Sequence, residues 1–148
     1  MKTLQHPFWS YTLVTLQFSM IVALLTTGSW LLSWQGFIWQ IMGGLLGIWA
    51  LQTMHLGRFN IIPDPKPDSL LVQAGPYRFI RHPMYASILL FFTPIALEAN
   101  NPLSWIFWGV LVINLWVKLH YEEHLLKAKF SDYVDYQTRT KKLIPFIY

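Results

Sequence analysis

Two stretches of the chain concentrate side chains able to hold a ligand or move charge. The first runs Gly75-Pro76-Tyr77-Arg78-Phe79-Ile80-Arg81-His82-Pro83-Met84-Tyr85 and ends where a long apolar run begins. Pro83 suits the first turn of a helix, where its missing N–H costs no hydrogen bond. The free N–H groups of such a helix start, with Arg81 and His82 beside them, make a site for a carboxylate or phosphate. The same features also describe a basic anchor at a membrane edge with interfacial tyrosines. The second stretch gathers Lys118, His120, Tyr121, Glu122, Glu123 and His124 at the end of another apolar run. Lys118 and Glu122 are four residues apart and share a helix face, where they could simply pair. Acidic side chains so close to a bilayer are costly, and such placements lean towards function. His120 and His124 have the same spacing, as two metal ligands on a helix would. No third ligand accompanies them at a convincing spacing, so no metal site is assigned.

The elements that must position these clusters are apolar. Hydrophobic residues make up 54% of the 148 and charged ones only 12%, against roughly 25% charged in an ordinary soluble domain. A chain this short has too small a core to hide that surface, aromatic at 17% with 8 Trp, so its solvent is lipid. The absence of Cys excludes disulfides, thiolate metal sites and cysteine nucleophiles. The net charge of +4 is spread beside apolar runs and not gathered in a stripe. That is the pattern of membrane insertion, not of nucleic-acid binding. Met1-Lys2-Thr3 leads into an apolar stretch too long for a cleaved signal peptide and without a clear small-residue cleavage site.

No Asp, Glu, Lys or Arg occurs between Lys2 and Arg58, room for two spans of about 20 residues and a turn. The break is expected at Ser33-Trp34-Gln35-Gly36, giving helices near 9–32 and 37–56. Thr, Ser and Gln in the first can bond to backbone carbonyls or across helices, and Gly43, Gly44 and Gly47 in the second permit close approach. Pro63, Pro65 and Pro67 forbid helix in the polar stretch 58–82, which reads as a loop. Apolar runs Met84–Leu97 and Leu103–Val117, separated by Asn100-Asn101-Pro102, predict a helical hairpin. The first of these is short for a span, and Pro94 is a candidate kink. The expected fold is all-α: an integral membrane protein with four transmembrane helices, the last continuing into a C-terminal cytoplasmic amphipathic segment. Residues 1–57 supply two accessory spans of a single membrane domain, and 58–148 the hairpin and C-terminal helices. Lys and Arg avoid both far-side turns, where Glu98 is the only charge. Both termini and the long loop therefore belong in the cytoplasm.

The pattern Leu70-Leu71-Val72-x-x-Gly75-x-Tyr77-x-x-x-Arg81-His82-Pro83-x-Tyr85 resembles the core motif of the isoprenylcysteine carboxyl methyltransferase family and its bacterial and archaeal relatives. The second half agrees in order: Glu122-Glu123, then Phe130, Tyr133, Tyr136, Arg139 and the closing Leu143-Ile144-Pro145-Phe146-Ile147. The likeness covers about residues 58–148. The first two spans carry no family signature. The resemblance implies a methyltransferase without a Rossmann fold, whose donor, S-adenosylmethionine, binds at the cytoplasmic membrane edge while a lipophilic acceptor arrives from the bilayer. It implies that Ser69, Leu70, Leu71, Val72 and Tyr77 line the donor pocket, largely through backbone. His82, Pro83, Met84 and Tyr85 contact the donor from the helix start, and Glu122 binds it at its ribose or ammonium group. The family tends to carry an arginine one turn before that glutamate, and this chain has Lys118, which keeps the charge but loses the bidentate fork. The acceptor is therefore not transferred from the family.

A carboxylate acceptor needs no general base, since charge is neutralised in the transition state. Lys118, with Arg139 as a second candidate, would orient it. An amine acceptor needs a proton sink, for which His120, His124 and Glu123 are candidates. The lack of a dedicated base leans towards the carboxylate. The readings kept beside this one are phospholipid N-methylation, an NADPH-dependent enzyme like the sterol reductases, which also carry an Arg-His-Pro motif, and a non-catalytic membrane subunit.

Overall fold

The computed structural model describes residues 7–54, 62–63 and 70–148. Ser69, Arg58, His6 and His55 lie outside the described residues. Helices α1 (Pro7–Thr27), α2 (Trp34–Met54), α3 (Pro83–Leu97), α4 (Pro102–Lys129) and α5 (Tyr133–Arg139) account for most of them, with a 3-10 turn over Gly75–Arg78. Among the described residues the only extended pairing is one parallel bridge between Ile80 and Lys141.

Length and composition make three helices able to cross a membrane: Phe8–Thr27, Trp34–Met54 and Pro102–Lys129. At about 1.5 Å per residue, the 21 residues of α2 match a hydrocarbon core of about 30 Å. The 28 residues of α4 exceed it, and the excess carries the charged cluster. At 15 residues α3 falls short of a span, so three of the four expected membrane helices meet the length. Large apolar side chains on α1 and α2, among them Phe8, Val22, Trp39 and Leu45, stand exposed, as lipid-facing groups do.

The break between the first two helices lies earlier than expected, over Gly28–Ser33, and Trp34, Gln35 and Gly36 are already helical. Packing decides this. A Cβ at Gly28 would collide with Ile95 of α3, and Ser29 N–H donates to the Ile95 carbonyl at 3.0 Å. The chain leaves α1 where α3 meets it. Ser33 then opens α2, its hydroxyl accepting from Gly36 N–H at 3.2 Å. Glu98, at the far end of α3, accepts from Ser33 N–H at 2.5 Å and from its hydroxyl at 2.7 Å. A carboxylate there complements the positive end of the α2 dipole. The turn into α4 follows its sequence signals: Asn101 Oδ1 accepts from Leu103 N–H at 3.0 Å, with Pro102 in the first turn.

The α3–α4 hairpin is the centre of the bundle, with α2 laid chiefly on α3 and α1 chiefly on α4. Leu24, Phe92, Ile95, Ala96, Leu111 and Leu115 form the core where α1, α3 and α4 meet. Polar groups of α1 act as expected. Thr12, Thr26 and Thr27 bond back to carbonyls of their own helix, and Ser104 of α4 donates to the Thr27 carbonyl at 2.7 Å. The glycines of α2 divide. A Cβ on Gly43 would lie 2.8 Å from Phe91 N and 2.9 Å from Ser87 O, and one on Gly47 would lie 3.0 Å from Ser87 Oγ, so both let α2 approach α3. Gly44 faces open space and permits no approach. Gly43→Ala should therefore cost about 1–3 kcal/mol by overpacking, while Gly44→Ala should be neutral or gain up to about 1 kcal/mol of helix propensity. Thermal melts in detergent check the contrast, and equal effects at the two positions would refute this packing assignment.

Candidate active site at the junction of α3 and α4

The site begins with the way the chain enters α3. Pro76 and Pro83 stiffen either end of the segment, and both are fully buried. Arg81 and His82 between them are fixed by the C-terminal strip. Arg81 N–H donates to the Lys141 carbonyl at 2.8 Å, His82 N–H to Lys142 at 3.0 Å, and Lys141 N–H to Phe79 at 3.1 Å. This pairing presents the Arg81 side chain inward. Its Nε donates to Glu123 Oε1 at 2.6 Å, and its Nη1 to the Thr140 carbonyl at 2.5 Å and the Gln137 carbonyl at 3.3 Å. Gln137 Nε2 donates to the other Glu123 oxygen at 3.2 Å. Both charged side chains are 8% exposed, and an ion pair so buried holds only when its remaining hydrogen bonds are met, as they are here. The anion site expected beside Arg81 and His82 is therefore filled by the chain's own glutamates.

Glu122, one residue earlier on α4, has a different fate. Successive helical positions differ by about 100° in direction, so Glu123 turns into the protein while Glu122 stays 28% exposed at the side chain. The Tyr85 hydroxyl donates to Glu122 Oε2 at 2.7 Å, and His82 Nδ1 lies 3.7 Å from the same oxygen. The His82 ring stacks on Tyr85 with centroids 5.4 Å apart and planes within 2°. Lys118, 2% exposed, does not pair with Glu122. Its Nζ donates to Gln17 Oε1 of α1 at 2.8 Å and sits 5.3 Å from the Tyr85 ring centroid. One tyrosine thus links a carboxylate through its hydroxyl and an ammonium through its ring.

Of the residues singled out in the sequence, His82, Tyr85, Lys118 and Glu122 come together. Pro83 is buried behind them and Met84 half-buried beside them. Tyr77 is buried, its carbonyl accepting the Tyr136 hydroxyl at 2.7 Å. Leu71 and Val72 are half-buried and Leu70 is exposed. Arg139 is not brought to Lys118: it is exposed on α5 and donates to Gln73 Oε1 at 3.3 Å. The candidate bases are committed elsewhere or outside the cluster. Glu123 holds Arg81, while His120 bonds the Trp116 carbonyl at 2.8 Å and the Lys142 ammonium at 3.0 Å. His124 is exposed. The residues that sequence reading passed over are Arg81 as an internal tie, Glu123 as its partner, Gln137, Thr140 and Gln17. For Gln17 a signal existed, since a long polar amide inside a lipid span needs a partner.

Residues 31–133 match the model of the phospholipid methyltransferase family. The chain belongs to that family. The match takes in α2, which carried no signature in the sequence reading, and stops before most of α5 and the C-terminal strip. Among curated proteins the chain is 31% identical over 121 residues to protein-S-isoprenylcysteine O-methyltransferase B of Arabidopsis thaliana, covering 80% of this chain and 61% of the relative. It is 28% identical over 125 residues to protein-S-isoprenylcysteine O-methyltransferase A of the same plant, with 80% and 61% covered. A probable protein-S-isoprenylcysteine O-methyltransferase of Oryza sativa subsp. japonica is 27% identical over 121 residues, with 80% and 63% covered. The chain spans about three fifths of the length of the curated relatives it matches. The resemblance to the isoprenylcysteine carboxyl methyltransferases is borne out at the level of the family, and family membership implies a methyl donor.

Around this junction, burial raises the hydroxyl pKa values of Tyr77, Tyr133 and Tyr136 well above the ordinary phenol range. Nearby glutamates push Tyr77 and Tyr133 further in the same direction. They are neutral at physiological pH and are not bases; the Tyr136 hydroxyl donates to the Tyr77 carbonyl. In the unfolded chain the same phenols ionise near pH 10. Their burial therefore leaves stability unchanged below about pH 10 and erodes it above, as the unfolded state loses protons first. The Tyr133 hydroxyl is buried with no hydrogen-bond partner among the described residues, so Tyr133→Phe should be nearly neutral at pH 8 and should soften the alkaline loss of melting temperature. An unchanged alkaline slope would sink that assignment. Arg81→Ala strands a buried Glu123 and should cost about 3–5 kcal/mol, with Arg81→Lys recovering little because an ammonium cannot span the same acceptors. Melting curves of the two variants test this, and full rescue by lysine would contradict the fork geometry.

Proposed function

We propose that this chain is an integral membrane methyltransferase that takes its methyl group from S-adenosylmethionine and delivers it to the carboxylate of a lipophilic acceptor. The observation that carries the reading is the pairing on Tyr85 of a half-exposed carboxylate, Glu122, with a buried ammonium, Lys118. The names of the Arabidopsis and rice relatives support the same direction.

The residues fit such a donor. Glu122 has exposure left and one oxygen outside the Tyr85 bond, so it can accept from an ammonium or a ribose hydroxyl. Tyr85 and His82 fix that carboxylate, and Tyr77, Leu71 and Val72 supply half-buried or buried walls. When bound, the donor supplies a methyl group on a sulfonium sulfur. Lys118 orients the acceptor and neutralises its charge on approach, and the bundle excludes water, effects worth several kcal/mol together. An acceptor carboxylate oxygen bonds to the methyl carbon as the carbon–sulfur bond breaks. The bonding pair stays on sulfur, no proton moves, and a neutral ester and a thioether result. An amine acceptor would need a base, and Glu123 and His120 are already engaged. That favours carboxyl over phospholipid N-methylation.

In this reading α3 is a fourth, shortened crossing. Seven of its side chains are buried against its neighbours, so its backbone need not match the bilayer alone. Both termini and the 58–82 loop face the cytoplasm, whence the donor binds. The first 57 residues form the accessory half and 58–148 the donor-binding half. Arg139, tied to Gln73, closes the donor side and does not orient the acceptor.

Calorimetric titration of the solubilised protein with S-adenosylhomocysteine should give saturable micromolar binding, about −8 kcal/mol. Glu122→Ala should weaken it roughly ten- to a hundred-fold, the range of a lost charged hydrogen bond, and Tyr85→Phe about five-fold. Methyl label from the donor should appear as a base-labile ester. A folded protein that does not bind, or label found in phosphatidylethanolamine derivatives, would overturn the proposal.

A further inference from the structure

We propose that α1 is part of the acceptor site: Gln17 is a positioning residue that turns the Lys118 ammonium inward, and the acceptor's apolar chain lies in the adjoining groove between α1 and α4. This rests on the function proposed above and adds to it where the acceptor binds and what it must carry.

Register provides the first argument. Thr27 meets Ser104 near one end of the α1–α4 contact, and the Leu13 carbonyl meets Asn114 further along it. The two helices are therefore antiparallel, and Lys118 stands opposite residues 9–13. A lysine near the end of a span ordinarily extends towards the interface and water. Here Nζ reaches back to Gln17, about one helical turn deeper than its own level. The amide draws the charge into the bundle, next to the Tyr85 ring.

The second argument is charge balance. Lys118 is 2% exposed, and its partners are a neutral amide oxygen and an aromatic face. Among the described residues no carboxylate lies within 4 Å of its nitrogen. Glu123 by contrast is tied to Arg81. Glu122 acts on the Lys118 ammonium only through space, across Tyr85; a buried ammonium with no ion-pair partner is costly, and among the described residues two of its three N–H donors remain to be used. The missing partner is an anion that arrives with the acceptor.

The groove provides the third. Trp9, Leu13, Val117 and Tyr121 line an open, almost wholly apolar groove of about 330 Å³, at the lower end of the roughly 300–1,000 Å³ of small-molecule sites. Leu13, Val117 and Tyr121 lie within a turn of Gln17 or Lys118 along their helices. Two buried polar atoms of the same α4 face, Asn114 Oδ1 and Tyr121 Oη, have no hydrogen-bond partner among the described residues. An apolar groove that ends beside a buried cation with no ion-pair partner among the described residues selects a hydrocarbon chain bearing a carboxylate. That chemistry is shared by a prenylated cysteine and a free fatty acid.

The test uses the full chain in phosphatidylcholine nanodiscs, with Gln17→Leu, Gln17→Glu and Leu13→Trp beside wild type. S-Adenosylhomocysteine affinity is measured by calorimetry, and acceptor binding by titration with a prenylated cysteine, its carboxamide and palmitate. All three variants should keep donor affinity within two-fold. Leu13→Trp should raise the Kd and KM of the acceptor at least ten-fold with little change in kcat. Gln17→Glu is the deciding variant. It preserves the size and the bond to Lys118, so a purely structural role for Gln17 predicts wild-type behaviour, milder than Gln17→Leu. The proposal predicts the reverse, because a carboxylate at position 17 takes the charge that the acceptor needs, and acceptor binding should fall ten-fold or more. Acceptor binding by Gln17→Glu equal to wild type would overturn the inference, as would carboxamide binding as tight as the acid. Preference between prenylated cysteine and palmitate identifies the source of the carboxylate. A wild type that binds no S-adenosylhomocysteine would instead sink the methyltransferase reading itself.

Discussion

The ion pair between Arg81 and Glu123 is the constraint on which the rest of the site depends. It joins the start of α3 to the C-terminal part of α4, and through Gln137 and Thr140 it also fastens the end of α5 and the residue that follows it. Charges this deeply placed gain little net stability over apolar substitutes of the same size, but they tolerate only one arrangement. With Glu123 directed inward, helical geometry leaves Glu122 at the lip, where Tyr85 and His82 meet it. The adjacent acids thus divide the work. One fixes the junction, and the other remains available to a ligand.

A lipid-facing bundle explains why polar ties decide the arrangement. Hydrocarbon outside the protein competes for apolar side chains as well as the core does, so burial of Leu or Phe gives helices little reason to associate. Close backbone approach and interhelical hydrogen bonds remain. Gly43 and Gly47 bring α2 onto α3, while Thr27–Ser104, Leu13–Asn114 and Gln17–Lys118 join α1 to α4. The short α3 fits this logic, since its core-facing side chains are covered by neighbours and Glu98 at its end caps α2.

The sequence was most legible where local chemistry dictates local structure. Asn101-Pro102 and Pro83 announce helix starts, and the run without charge from Thr3 to Gly57 announces lipid. That His82, Tyr85, Lys118 and Glu122 form one cluster was legible because motif and spacing place them at two helix ends that a hairpin must bring together. The division between Glu122 and Glu123 was not, because it depends on which neighbour lies across the helix. Nor was the pairing of Lys118, since spacing within one helix pointed to Glu122 and the partner came from a helix 101 residues away. The end of α1 was misplaced for the same reason. Nothing local to Gly28 and Ser29 reveals that Ile95 will sit against them.

Lysine at position 118, where the resemblance leads one to expect arginine, gains a physical account from that distant partner. A guanidinium is planar and fork-shaped, so it fixes a carboxylate by its own geometry. An ammonium on a flexible stem has no such preference and must be oriented from outside. Gln17 takes one of its donors and the Tyr85 ring bounds another side, which leaves the remaining donors in a limited set of directions. Orientation that arginine would carry within one side chain is here spread over three helices. Under the proposed function α1 therefore belongs with the chemistry as well as with the packing: removing its amide would leave the Lys118 charge in place and take away its direction.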